Sequence, residues 1–551
     1  MKNKFLKQTV TLLLAATTIS FAACGGGGST SSSNKEVESD KSQLYVGVYD
    51  GALGAQWAYE YAEAFEKRYA NESFEEGKKG VQVWIDIDKE GFMGGSLQSS
   101  MSYARQDVFF TSDATYKTMA NAGVVGDITS VVTGKNYDAN GEWIGIGEGT
   151  TTLQSRMHDH FKDTLNLGTE QAPKYYALPN FSSPTGFWYD VDLFEDYGYL
   201  DYGNGPDGKE GTYDDGLPAT WEEFKGLLDR MVIDRLTPFT WCGFSTYYRN
   251  EMLFALWAAY EGANDFTLNS TFSGTDSTLG AIDESNAYIL QKQQGKLAAL
   301  TAAYDIVSDP MYYSTNAFSN SQTHLIAQEE YVYSKETNNR IAMFGEASWW
   351  ENEAKPVFDE LGGDNAYGQR EFNLLTIPRF IGTEGVQDQE NTKNTIYLAG
   401  SRSLVITNAY TTHKNLADEF VGFCHSESAL RTFTRTTGVP RAFDYELSET
   451  DLAAMTPMGR NVWEIYQDEE TEKTYCDWTG DMRVYSGSFL TSFDWGSLVE
   501  EISSNLLLDP LMNFYSYANK YNLTPAKYFA GLELACPPSQ WTEYYNRYLG
   551  Q

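Results

Sequence analysis

Residues 107–129 read DVFFTSDATYKTMANAGVVGDIT. The apolar run Val108–Phe110 with Thr111 has the composition of a buried strand. Ser112 and Asp113, which follow it, carry side-chain oxygens that cap helices, so the spacing predicts a helix through Met119 that stops near Gly123. The same alternation appears upstream. Leu44, Val46 and Val48 alternate with other residues before Tyr49, Asp50 and the turn glycines Gly51 and Gly54. Trp57, Tyr61, Phe65 and Tyr69 then recur at four-residue steps, and Val81, Val83, Ile85 and Ile87 alternate again. Strands that alternate with helices predict an α/β fold around an open sheet. Ligands of such sheets sit beyond the carboxyl ends of the strands, which places Tyr49, Asp50, Ser112 and Asp113 beside a candidate cleft.

The chain has 551 residues, with 13 Trp, 38 Tyr and 30 Phe set against 40 Lys+Arg and 76 Asp+Glu, for a formal net charge of −36. Duplex binding needs a basic surface that releases counterions, so nucleic acid is excluded as the main partner. An acidic disordered tail would lack aromatics, so most of this chain is expected to fold, as two lobes with elaborations. The aromatic excess has two readings. One is ordinary core; the other is a sugar site, where apolar C–H faces stack on flat rings and hydroxyls pair with Asp, Glu, Asn, Arg and indole N–H.

Residues 1–23 read as an export signal: Lys2, Lys4 and Lys7, then an apolar and small run from Thr9 to Ala23. Thr11, Thr17, Thr18 and Ser20 make that run too polar for a permanent span. Ala22, Ala23 and Cys24 resemble a bacterial lipobox, with Phe21 where an aliphatic residue is usual. This resemblance implies cleavage before Cys24, acylation of its thiol and a lipid anchor on the extracytoplasmic face of the cell membrane. Residues 24–42 then form a tether, glycine-rich at Gly25–Gly28 and polar after it, with an r.m.s. reach of roughly 20 Å. Cleavage removes three lysines and no acid, and takes the net charge from −36 to −39. Cys242, Cys424, Cys476 and Cys536 remain; they form no CxxC pair and are read as buried thiols.

The order of motifs resembles family 1 of the extracellular solute-binding proteins, the maltose-binding-protein-like sugar receptors of ABC importers. The resemblance covers most of Gln43 to Phe443. Besides the opening stretch it rests on YYALPNFSSPTGFWYDVDLFEDYG (175–198), LPATWEEFKGLLDRM (217–231), AMFGEASWW (342–350) and LADEFVGFCHSESALRTFTRTTGVPRAF (416–443). It implies a type II periplasmic-binding-protein-like α/β fold, with two lobes joined by a hinge and an interlobe ligand cleft. Lobe 1 is then 43–178 with 378–437, and lobe 2 is 179–377 with 438–551. The chain crosses first near Tyr175–Phe181 and returns within Ile377–Ser403. Two helices are legible locally: Thr220 and Glu223 form a capping box ahead of Phe224, Leu227, Leu228 and Met231, and Leu416, Phe420, Val421 and Cys424 make a buried stripe.

Site residues follow from the same resemblance. Trp349 and Trp350 fall in the first turn of a helix, boxed by Ser348 and Glu351; one of them stacks on a sugar, the alternative being an indole in the core. Glu346 is the acid singled out beside them, with Glu351 and Glu353 as helix-end charge. Asp113 accepts sugar hydroxyls or caps its helix, or does both. Trp241, in TPFTWCGF, supplies a stacking face in lobe 2. Tyr49, Gln56 and Trp57 follow the first strand, Trp57 being equally readable as core. Arg441, in GVPRAF, contacts ligand or bridges the lobes. Trp478 and Trp495 are late-chain candidates. The implied partners are a carbohydrate, an ABC permease and the membrane, with the receptor itself a monomer.

The loop DYGNGPDGKEGTYDDG (201–216) gathers Asp201, Asn204, Asp207, Asp214 and Asp215 among glycines, a composition suited to Ca²⁺. Pro206 and the lack of Glu at the twelfth position depart from the EF-hand pattern, so a metal-free pair of turns is the primary reading and no cofactor is expected. Enzyme motifs are missing. His158, His160, His324, His413 and His425 lack the spacing of zinc helices and read as surface polar side chains, and no GxSxG, Walker A or dinucleotide glycine pattern occurs. The rival to a receptor is a surface glycosidase working through two paired carboxylates.

Overall fold

Alternating apolar residues produce β1 (Ser42–Tyr49) and β2 (Val81–Asp88), and the run in the opening stretch produces β3 (Val108–Thr111). The structure, a computed structural model, describes residues 36–112, 114–272, 277–475, 509–535 and 537–548. A small hairpin, β4 (Lys135–Tyr137) with β5 (Thr151–Thr152), precedes β6 (Ala177–Pro179) and β7 (Ser183–Asp190). The later strands are β8 (Thr237–Trp241), β9 (Ile341–Ala347), β10 (Phe372–Leu374), β11 (Thr395–Ala399), β12 (Leu404–Thr407) and β13 (Glu472–Tyr475).

Two mixed sheets take all of these strands except the β4-β5 hairpin. The first runs β2-β1-β3-β12-β6, with β1 parallel to β2 and β3, and β12 antiparallel to β3 and β6. The helix Gln56–Arg68 covers it with Trp57, Ala58, Tyr61, Ala62 and Phe65, the face set by the four-residue recurrence in the sequence. The second sheet runs β13-β11-β7-β9-β8, with β10 also paired to β7. Its helix Trp221–Ile233 starts at the predicted capping box, Thr220 with Glu223, and buries Phe224, Leu227, Leu228 and Met231. Helices Pro510–Tyr521 and Pro525–Ala535 pack against helix Gln294–Ser308 of the same lobe.

The chain passes between sheets wherever consecutive strands belong to different ones. It leaves the first sheet between Pro179 of β6 and Ser183 of β7, and returns between Ala399 of β11 and Leu404 of β12. The return at Gly400–Ser403 corrects the boundary expected at 378, because β11 is hydrogen-bonded to β7 and β13 and so belongs to the second lobe. Gly400 sits there at φ +107, and a Cβ on it would lie 2.6 Å from the Phe181 carbonyl oxygen, so the two crossings are in backbone contact. The third passage follows helix Glu427–Thr437, which packs on Gln56–Arg68, and leads to helix Pro457–Gln467, which packs on β10.

Two expected helix starts are corrected. The helix after β3 is Tyr116–Asn121, capped by no side chain, because Ser112 instead continues the strand: it bridges Met93, and its carbonyl accepts from Gly94 N at 3.1 Å. Ser348 and Glu351 form no capping box either; Ser348 Oγ pairs with Ser183 Oγ at 2.7 Å, and Glu351 accepts from Thr456 Oγ1 at 2.6 Å. Cys242 and Cys424 are buried free thiols, while Cys24, Cys476 and Cys536 lie outside the described residues.

Candidate functional site

The carboxyl ends of β1, β3, β6 and β11 converge on a cavity of about 440 Å³ between the two sheets' lobes. Its first wall is Tyr49, Gly51–Gly54, Lys89, Phe110, Thr111 and Ser112. Asn180, Phe181 and Gly400–Ser403, the crossings themselves, line it as well. The opposite wall is Phe244, Ser245, Tyr247, Tyr248, Glu251, His324, Trp349 and Glu353. A cavity of this size is within the roughly 300–1,000 Å³ typical of small-molecule sites.

The aromatics differ in availability. Phe244 and Tyr247 are 63% and 44% exposed, so they present rings to solvent at the wall. Trp349 is partly exposed and meets Phe181 edge to face at 6.0 Å. Tyr248 stacks on His324 with ring centroids 5.6 Å apart. Trp57 lines the cavity but is 2% exposed; its Nε1 donates to Gly54 O at 2.9 Å, and its ring is boxed by Phe110 at 4.8 Å and Phe433 at 5.1 Å. It is therefore the floor under the first wall, serving as core and lining together.

Polar groups are set between the rings. Glu353 accepts from Gln328 Nε2 at 2.8 Å and pairs with His324 Nε2 at 3.3 Å. Burial alone raises its pKa, but these partners and the field of Lys89 outweigh that and hold it below the usual carboxylate range. Burial pushes the Tyr248 hydroxyl pKa far up, with Glu346 and Glu353 adding, so the phenol stays protonated and able to donate. Asn180 Oδ1 is buried without a hydrogen-bond partner, a free acceptor on a residue that lines the cavity.

Several sequence candidates lie elsewhere. Trp350 is fully buried among Tyr331, Phe344, Phe358 and Phe372, which corrects its expected stacking role. Trp241, the last residue of β8, is 1% exposed and packs on Phe239, Tyr313 and Phe318 on the helix-covered side of the sheet. Glu346, on β9 opposite Gly186, is 1% exposed and stands outside the lining; burial, with Glu353 and Glu251 nearby, pushes its carboxyl pKa well above the ordinary range. Gln56 is exposed and its Nε2 donates to Glu60 Oε1 at 3.4 Å. Asp113, Trp478 and Trp495 lie outside the described residues.

Arg441 bridges rather than binds. It is fully buried, with Nε donating to Asn180 O at 2.5 Å, Nη2 to Pro179 O at 3.2 Å and Nη1 to Cys424 O at 3.1 Å. Its Nη2 also meets His425 Nε2 at 2.8 Å, and Tyr466 Oη donates to Arg441 O at 3.0 Å. His425 is 0% exposed and His324 lines the cavity, which corrects the surface reading of both.

In the 201–216 loop, Asp201 pairs with Arg230 at 3.0 Å, Asp214 accepts from Asp207 N and Asn394 Nδ2, Asp207 from Lys209 N, and Asp215 from Gly211 N. Asn204 is exposed. These acids act as turn acceptors, and among the described residues no group of three His, Cys, Asp or Glu is arranged to hold a metal ion. A second cavity, about 800 Å³, is lined by residues such as Arg156, Glu427, Asp444 and Lys473; Arg156 and Glu427 already neutralise each other at 2.5 Å.

Sequence reasoning missed Phe181, Phe244, Tyr247, Tyr248, Glu251, His324 and Asn180. The signal that finds Phe244–Tyr248 is position: they follow the carboxyl end of β8, where an open sheet places ligands, whereas Trp241 lies within the strand. No helix among the described residues is long and apolar enough to cross a membrane.

The sequence profile of the bacterial extracellular solute-binding protein family matches residues 72–455. Among curated proteins, none matches the chain in sequence. Solved structures are similar across both chains' lengths. One is a probable secreted solute-binding lipoprotein from Streptomyces coelicolor, with a TM-score of 0.55, 13% identity, and 90% of this chain and 99% of that one covered. Another is the apo form of RafE from Streptococcus pneumoniae, with a TM-score of 0.53, 14% identity, and 91% and 100% covered. A third is a chitin oligosaccharide binding protein, with a TM-score of 0.53, 13% identity, and 92% and 100% covered.

Proposed function

Because the chain belongs to the bacterial extracellular solute-binding protein family, and is thus a binding protein rather than an enzyme, we propose that it is the carbohydrate receptor of an ABC importer. It captures a sugar, an oligosaccharide by preference, in the interlobe cleft and hands it to a membrane permease. The observation that carries this reading is the cleft lining. Flat rings at Tyr49, Phe181, Phe244, Tyr247, Tyr248 and Trp349 alternate with Asn180, Ser112, Glu251, Glu353 and His324, the mixture that pyranose faces and hydroxyls require. The structural likeness to a chitin oligosaccharide binding protein supports the choice of ligand class.

Stacking supplies much of the affinity, and directional hydrogen bonds select the sugar. Hinge closure about the crossings buries the ligand and creates the surface a permease reads. Neutral sugars are favoured over anionic ones, because the net charge of −36 repels anions at long range. Export and acylation at Cys24 tether the receptor to the extracytoplasmic face, a step tested by loss of labelled-lipid incorporation in Cys24→Ala.

A thermal-shift panel of galactose, raffinose, maltotriose, xylotriose and chitotriose, with a uronic acid trisaccharide as the anionic member and a product assay on each hit, tests the reading. A neutral sugar at a hundred times its Kd adds about 2.7 kcal/mol of stability and is recovered intact. A panel with no stabilising sugar overturns the carbohydrate assignment, and released product returns the glycosidase.

A further inference from the structure

The opposite wall of the cleft hangs on the link between β8 and the helix that follows it. Gly243–Ser245 join β8 to helix Thr246–Glu261, and that helix starts without a side-chain cap and without an acid in its first turn. Phe244 N donates to Gln322 O at 2.9 Å, and a Cβ on Gly243 would lie 2.7 Å from the Ser319 carbonyl oxygen, so the loop is held against backbone on one side. The other side is held by Arg249. Its Nη1 reaches back from within the helix to Cys242 O at 3.0 Å and to Gly243 O, clamping both carbonyls at the base of Phe244. Arg249 is 3% exposed, and its charge is met by Asp509, 1% exposed, whose Oδ2 accepts from Nε at 2.8 Å and from Nη2 at 2.6 Å. Asp509 Oδ1 meanwhile caps helix Pro510–Tyr521 by accepting from Met512 N at 3.1 Å.

We propose that Asp509 is a positioning residue of the ligand site: by neutralising Arg249 it keeps the clamp on Cys242 and Gly243 in place, and so fixes the wall Phe244–Glu251. Asp509 lies beyond residues 72–455, the part that matches the family profile, so a later tract of the chain governs the geometry of the cleft. The physical step is desolvation. A guanidinium held out of water without its carboxylate is unstable there and turns toward solvent, releasing the carbonyls it held. The consequence for affinity rests on the sugar-receptor reading; the consequence for the loop does not.

Asp509→Ala and the double variant Arg249→Leu/Asp509→Leu, each in the full chain, separate positioning from bulk stability. The double variant carries no orphan charge and is expected to regain part of the melting temperature that Asp509→Ala loses, the helix cap and the donors to Cys242 and Gly243 staying lost. Hydrogen exchange over 243–251 is expected to be about tenfold faster in both variants, with β1 and β2 unchanged. Affinity for whichever of raffinose, maltotriose, xylotriose or chitotriose stabilises the wild type falls about tenfold in both. Wild-type exchange over 243–251 in the folded double variant, or wild-type affinity in it, overturns the proposal. If none of these sugars binds the wild type, the carbohydrate reading fails and the exchange measurement still decides the role of Asp509.

Discussion

Trp349 and Trp350 are neighbours in sequence with opposite fates. Trp350 has no exposed surface and contacts four rings, so Trp350→Ala leaves a cavity and is expected to cost about 3–5 kcal/mol in urea denaturation. Trp349 is partly exposed beside Phe181 in the cleft, so Trp349→Ala is expected to leave the melting temperature within a few degrees while lowering affinity for the stabilising sugar about tenfold. Equal losses of stability in the two variants would contradict this division. The residue behind them responds to pH. Burial pushes the Glu351 carboxyl up to about 7, against the opposing effects of its Thr456 hydrogen bond and Lys355. Between the unfolded carboxyl range near 4.5 and 7, the folded Glu351 holds a proton that the unfolded state has lost, so its own contribution to stability falls as pH rises through that window and is level above it. Glu261, also raised to about 7 by burial, adds a slope of the same sign. Glu351→Gln removes that contribution, so the stability of the variant relative to wild type is expected to rise from pH 5 to 8 in urea denaturation, the variant being the more stable at pH 8; a difference independent of pH would count against it.

Helices and strands were legible where burial follows a regular period. Every second residue of β1 and every fourth residue of Gln56–Arg68 faces the core, and the apolar pattern records it. The box at Thr220 was legible because both of its bonds are local: Glu223 N donates to Thr220 Oγ1, and Thr220 N to Glu223 Oε2 at 3.0 Å. Thr220→Ala is expected to cost about 1 kcal/mol, read as a lower urea midpoint at unchanged slope. The box at Ser348 has the same sequence spacing but fails, because Ser183 and Thr456, distant in sequence, take its two oxygens. The cleft was half legible for a related reason. Tyr49 and Ser112 are found by their place after a strand, whereas Trp241 and Trp350 rest on the family resemblance alone, and large aromatics are what a core also selects. His324 reaches the wall from the start of helix His324–Ser334, and nothing in its neighbours along the chain signals that partnership with Glu353 and Tyr248.

At the scale of the whole molecule, neither lobe is a continuous segment, so the lobes are joined by backbone crossings whose polar groups must be satisfied out of water. Asn180 N donates to Ser403 O and Ser182 N to Pro440 O, each at 2.8 Å, which ties the three passages together. Arg441 lies at their centre and supplies donors to Pro179, Asn180, Cys424 and His425, with Phe433 and Phe443 within 5.2 and 5.8 Å of its guanidinium carbon. A planar fork with donors in several directions fits this set of acceptors; a lysine ammonium, a single point on a flexible stem, reaches only part of it. Arg441→Met leaves buried carbonyls without donors and is expected to cost on the order of 3 kcal/mol or more, and Arg441→Lys to recover less than half of that loss. Because Arg441 itself is not among the residues that line the cavity, the sugar that stabilises wild type is expected to add a similar increment to folded Arg441→Lys at saturation. Urea denaturation with and without that sugar checks both parts. Full stability in Arg441→Met would remove the residue from the hinge, and a sugar increment lost while stability is retained would return Arg441 to the ligand.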